Sequence, residues 1–241
     1  MSLHHYVYED EAHAAAATAK RILGLLEERL SGHSTASLAI SGGKSPRAVF
    51  AQMAGTPFDW SSVHLFWVDE RAVPPGDPQS NYTMAEESFI GPAHFPHKNV
   101  HRIHGELAPS EAARLYVEDI QDFFNLKTGE FPHFDVAHRG VGPDAHTASL
   151  FPGEPLIDDH DSIAAAVYVE KMAQWRITLL PGALMAAQHT AMYVIGADKA
   201  EAIHAIFNDP YDPKKYPAQM VAHHGRSVTW FFDKPAARLI D

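Results

Sequence analysis

Short β-branched and aromatic runs alternate along this chain with segments of helical period, and that alternation limits the fold more than any other feature. The strand-like runs are Ser37–Ile40, Val63–Val68, Phe134–Arg139, Ala164–Val169, Arg176–Leu179, Ala191–Ile195 and Val228–Phe232. Residues 11–30 place Ala15, Ala19, Ile22, Leu26 and Leu30 on one helical face, with Gly32 as the stop. Residues 110–124 repeat the pattern with Leu115, Ile120 and Phe124. Ser45 is placed to cap a helix through Met53 with Pro46 in its first turn. Pro74, Pro75, Gly76 and Pro78 force a loop before a helix near Asn81–Phe89. Further helices are expected from Pro181 to Gln188, after Gly196 with Asp198 as its cap, and at Ala236–Ile240. Strands recurring every roughly 20 to 40 residues with helices between them predict an α/β fold, a mostly parallel central sheet with helices on both faces. No Ser/Gly linker or internal repeat divides the chain, so residues 1–241 read as one domain, with room for a small extra lobe from its middle.

Charge narrows the partners. The formal net charge is −11, with only nine lysines, so nucleic acid and anionic membranes are not expected to bind. If the substrate is an anion, the few cations must be gathered at its site. No apolar run approaches the ~20 residues that cross a bilayer, and the N-terminal residues lack an export pattern. There are no cysteines, which removes disulfides, thiolate nucleophiles and Cys-based zinc sites and fits a cytoplasmic enzyme. The 17 histidines raise the question of metal. His4-His5 and His223-His224 diverge as neighbours, and His94, His97, His101 and His104 lie in a Pro-containing segment without H-E-x-x-H spacing. They read as scattered surface residues, and no metal site is expected. Nothing in the sequence encodes an oligomeric state.

Four segments carry chemistry. Ser41-Gly42-Gly43-Lys44-Ser45-Pro46 joins a strand to a helix, where glycines admit a ligand close to the backbone and helical N–H groups attract phosphate. Ser41, Ser45 and Lys44 add donors, although the segment is neither a P-loop nor a dinucleotide fingerprint. Asp69-Glu70-Arg71 ends a strand and offers a guanidinium fork for phosphate oxygens, with the acids placed to hold it. Ser80-Asn81 follows, either as polar ligands or as a helix cap. Gly140–Gly153 puts His146 in a turn after a strand, with Asp144 two residues away to orient it or to stabilise its charged form. Lys199, in Gly196-Ala-Asp-Lys-Ala200, begins a helix after another strand and provides a further anion grip. Ser149 is outside any G-x-S-x-G elbow and is not read as a nucleophile.

Taken together and in order, these segments, with Trp67-Val-Asp-Glu-Arg71, Gly142-Pro-Asp-Ala-His-Thr-Ala-Ser-Leu-Phe-Pro152 and Arg176-Ile-Thr-Leu179, resemble the 6-phosphogluconolactonase family. The related glucosamine-6-phosphate deaminases follow the histidine with Ile-Ala-Phe-Asn-Glu-Pro, and Phe151 stands where their glutamate falls. The resemblance implies a modified Rossmann-type three-layer sandwich and no metal or nucleotide cofactor. It implies a phosphorylated sugar lactone as substrate, His146 as general base, and Arg71 and Lys199 gripping phosphate beside Gly42–Gly43. A sugar-phosphate deaminase or isomerase is the alternative activity, and a non-catalytic sugar-phosphate-binding regulator the alternative class. Two departures stand out. Ala145 replaces the family's usual glycine, and His138-Arg139 replaces Leu-Leu, bringing two polar side chains that are either buried and paired or a cation for the pocket.

Overall fold

The computed structural model describes residues 4–240. Seven strands form one sheet in which every neighbouring pair is parallel: β1 (His4–Tyr8), β2 (Ala36–Ile40), β3 (Val63–Trp67), β5 (Val100–His101), β6 (Val136–Arg139), β9 (His189–Val194) and β10 (Val228–Asp233). Their order is β1-β10-β9-β6-β2-β3-β5. A second sheet of three antiparallel strands, β4 (Asp69–Arg71), β8 (Gln174–Leu179) and β7 (Ala164–Val169), is the small lobe drawn from the middle of the chain.

Alternation along the strands shows why the main sheet needs helices on both faces. Trp230 and Phe232 of β10 and Met192 and Val194 of β9 join a core with Ile203, Ile206 and Val221. These last come from α6 (Ala200–Asn208) and α7 (Gln219–His224). The intervening residues Phe231, Ala191 and Tyr193 turn to the opposite core, with Ile22 and Leu26 of α1 (Glu11–Gly32). Burying one such side chain contributes roughly 1.5–3 kcal/mol relative to exposing it, so neither face is left to solvent. Asp10, whose carboxylate accepts from the His13 N–H, starts α1.

Chain order reverses between β2 and β6. From β2 the chain passes through α2 (Pro46–Ala54) to β3 on one side, whereas β6 pairs on the other. A crevice at the carboxyl ends of these strands follows from that reversal. The β3 strand then leaves the sheet. Tyr116, on α4 (Pro109–Phe124), donates its hydroxyl to the Trp67 carbonyl and accepts from the Trp67 N–H, satisfying backbone that no strand covers.

Several local expectations change. Ser45 does not cap α2, because its backbone is already helical (φ −61°, ψ −41°) and its side chain makes no cap bond. Asp198 does not cap α6; its carboxylate is held by Lys199 at 2.5 Å. The helix α3 (Asn81–Ala85), capped by Ser80, continues as a wider turn over Glu86–Ile90. The helix α5 (Pro181–Ala186) ends before Gln188, whose N–H is drawn to the Phe134 carbonyl as the chain enters β9. Residues Ala236–Ile240 form turns instead of a helix, a segment too short to repay nucleation.

Candidate active site

The loops after β2, β6 and β9 meet where the crevice is expected, and the small sheet closes the side. They enclose a cavity of about 240 Å³ lined by Ser41 to Pro46, Asp69, Arg71, Gly140 to Pro143, His146, Ala148, Arg176, Tyr193 to Ile195 and Lys199. Ser41, Gly42, Gly43, Lys44, Ser45, Asp69, Arg71, His146 and Lys199, all candidates from sequence, therefore face one space. Asn81 and Asp144 stand one layer behind.

Asn81 is the first of these. It is buried, donates from Nδ2 to the Asp69 carbonyl, and presses against Gly42 so closely that a Cβ there would lie 1.9 Å from Asn81 Oδ1. Asp144 is the second. Its Oδ1 lies 2.5 Å from His146 Nδ1, so an Nδ1–H donated to this carboxylate leaves Nε2 for a ligand. Its Oδ2 accepts from Lys171, in the turn between β7 and β8. Burial pushes the Asp144 carboxyl up, but the hydrogen bonds from His146 and Lys171 outweigh it and hold the group well below the usual carboxylate range. The His146 ring also packs on Phe151, with centroids 4.1 Å apart.

The His146 turn depends on its backbone. The Gly142 N–H donates to the His146 carbonyl, and a Cβ on Gly142 would fall 2.0 Å from the His146 ring. Ala145, where the family's glycine is replaced, adopts φ +63° and buries its methyl group with Trp230 and Val194. The left-handed turn is kept with alanine, at a cost of roughly 1–2 kcal/mol that burial of the methyl partly offsets.

The acids around Arg71 do not hold its guanidinium as anticipated. Glu70 accepts from the backbone N–H groups of Arg71, Asn81 and Tyr82 and from Ser80 Oγ, thereby tying β4 to the start of α3. Arg71 Nη1 donates to the Gln79 carbonyl instead. Asp69 accepts from Ser149 Oγ at 2.7 Å and lies 4.0 Å from Arg176, so Ser149 is buried and committed.

Arg176 carries no site signal in the sequence, because it sits inside a strand whose pattern reads as ordinary β structure. It lines the cavity directly opposite Arg71 across the β4–β8 pair, and its buried Nε has no partner among the described residues. Burial lowers the affinity of this guanidinium for its proton, and Asp69 opposes that effect. Tyr193 also lines the cavity unforeseen.

His138 and Arg139 are neither fully paired nor in the pocket. Both are buried; among the described residues His138 has no partner on either ring nitrogen, and Arg139 satisfies only Nη2, through the Leu184 carbonyl and Thr190. The surface reading of the histidines also needs correction at His64 and His101, which are partly buried, bonded to each other at 3.0 Å, and linked through His101 to Asp119.

A crevice at the strand ends, holding one carboxylate-paired imidazole and a group of cations under a glycine turn, defines an α/β protein equipped for anionic ligands and acid–base chemistry. The chain belongs to the family described as glucosamine-6-phosphate isomerases/6-phosphogluconolactonase, whose model matches residues 9–230. It is 33% identical over 217 residues to a 6-phosphogluconolactonase of Synechocystis sp., covering 90% of this chain and 88% of that one. A 6-phosphogluconolactonase of Thermotoga maritima superposes with a TM-score of 0.84 at 26% identity, over 97% of this chain and 100% of the other. A monomeric glucosamine-6-phosphate deaminase shares the fold at a TM-score of 0.83 and 16% identity, over 98% and 100%.

Proposed function

We propose that this chain hydrolyses 6-phospho-D-glucono-1,5-lactone to 6-phospho-D-gluconate. The observation that carries the reading is the shared cavity of His146, Arg71, Arg176 and Lys199, with His146 Nδ1 on Asp144. Relatives named 6-phosphogluconolactonase at about a third identity over nearly the whole chain support it.

The phosphate is gripped by Arg71, Arg176 and Lys199 beside the Gly42–Gly43 turn, with Lys44 and Ser41 at the same wall. His146 Nε2 takes a proton from water, and the resulting hydroxide attacks the lactone carbonyl carbon. The tetrahedral oxyanion collapses, the bond to the ring oxygen breaks, and the imidazolium returns its proton to that oxygen. General-base assistance contributes about 10²–10⁴-fold, and the phosphate grip supplies orientation by holding the carbonyl against the water. A cyclic ester requires no further nucleophile, consistent with the commitment of Ser149 to Asp69.

Phe151 lies against the His146 ring, where the deaminase pattern carries a glutamate, so the acid–base group that ring opening requires is missing from that position. The deciding experiment is a coupled assay on freshly generated lactone with spontaneous hydrolysis subtracted. Wild-type turnover with a 10²–10⁴-fold lower kcat in His146→Gln is the expected result. Rapid ammonia release from glucosamine 6-phosphate, without lactonase turnover, overturns the reading.

A further inference from the structure

Asp144 is held from two sides. One oxygen meets His146 Nδ1, and the other takes the Lys171 ammonium, which comes from the Glu170–Met172 turn of the small sheet. Lys171 Nζ also stands 4.4 Å from the centroid of Phe151, the ring that packs on His146. These contacts close a circuit, His146 to Asp144 to Lys171 to Phe151 and back. Half of the Lys171 side chain is exposed, so the ion pair adds little to folding stability. Its effect falls on the charge and orientation of Asp144.

We infer that Lys171 is a positioning residue for the lactonase reaction, fixing the second oxygen of Asp144 and offsetting its charge so that His146 Nε2 is presented to the cavity as the base. The inference rests on the general-base reading of His146. An uncompensated carboxylate on Nδ1 stabilises the imidazolium, which cannot accept a proton, whereas a cation on the far oxygen removes much of that bias. The remaining charged groups lining the cavity with His146 are Lys44, Asp69, Arg71, Arg176 and Lys199, and all are unchanged by substitution at 171.

The test uses Lys171→Met, which keeps an apolar stem over Phe151, and Lys171→Arg, which restores the charge. The imidazole titration of His146 is followed by NMR in the ligand-free protein, with its resonance assigned by its loss in His146→Gln. In Lys171→Met the titration should move up by about one pH unit. The acid limb of kcat should move with it, giving about tenfold lower turnover at a fixed pH on that limb. KM should change less than about twofold, and Lys171→Arg should recover most of both shifts. An unmoved His146 titration in Lys171→Met overturns the proposal, as does a large rise in KM with the pH profile in place, which marks a substrate contact. Failure of the wild-type chain to hydrolyse the lactone refutes the base reading, and the titration still decides whether Lys171 tunes His146.

Discussion

Arg71 and Arg176 face each other directly across two antiparallel strands, at the wall of the same cavity. Like charges in that register destabilise a sheet, so the pair needs an anion to be favourable. Asp69, already bonded to Ser149, is only a partial counter-charge at 4.0 Å from Arg176. Replacing Arg176 with Met should raise KM for a phosphorylated lactone about 10- to 100-fold, the loss of one or two charge-assisted hydrogen bonds, and change kcat much less. Inorganic phosphate should raise the melting temperature of the wild-type chain, and this protection should be largely lost in Arg176→Met. Michaelis parameters and thermal scans with and without phosphate check both.

Gly142→Ala tests the geometry of the proposed base, His146, without changing a charge. The added carbon would lie 2.0 Å from the His146 ring and 2.9 Å from Asp144 Oδ1, so the imidazole must move. A displacement of about 1 Å is expected to lower kcat by about 10², with KM nearly constant because the cations proposed to grip the phosphate lie elsewhere. Steady-state kinetics on the folded variant is the check.

His138 links stability to acid. Burial pushes its pKa from 6.5 down to about 4. The folded value lies below the unfolded one, so this contribution is fully present above pH ~6.5 and lost as pH falls toward ~4, by as much as about 3 kcal/mol. His138→Leu removes the linkage together with the two unpartnered ring nitrogens that His138 buries. Urea denaturation at pH 7.5 and 4.5 should show wild type losing about 2–3 kcal/mol more than the variant between the two conditions.

The β7–β8 turn carries an avoidable strain. Ala173 is exposed and left-handed at φ +47°. Ala173→Gly relieves roughly 1–2 kcal/mol of backbone strain and returns part of it as unfolded-chain entropy, for a net gain of about 0.5–1 kcal/mol. Ala145→Gly should gain less, because its methyl is buried and is lost with the strain. Thermal or chemical denaturation of the two variants in parallel measures the difference.

The sequence announced what glycine, proline and strand ends make conspicuous. The turn at Ser41–Pro46, Asp69–Arg71, the His146 loop and Lys199 each follow a β-like run, and in a parallel sheet such endings emerge on one edge. Arg176 stayed hidden because a strand residue aimed at a ligand has the same local pattern as one aimed at a core. Lys171 stayed hidden because its partner Asp144 is 27 residues away across two sheets. The β1 strand escaped for another reason: its residues 4–7 are exposed, so no apolar alternation marks it. Capping failed as a guide at Ser45 and Asp198, where backbone geometry and a neighbouring lysine, respectively, removed the side chain from the helix end.

The contact between Asn81 and Gly42 leaves no room for even one extra carbon on the Ser41–Pro46 turn. The position of that turn is thus constrained by a residue on a separate helix. A side chain at position 42 therefore requires residue 81 to shift or shrink. The two positions are coupled by packing, and lineages that keep this pocket are expected to alter both or neither.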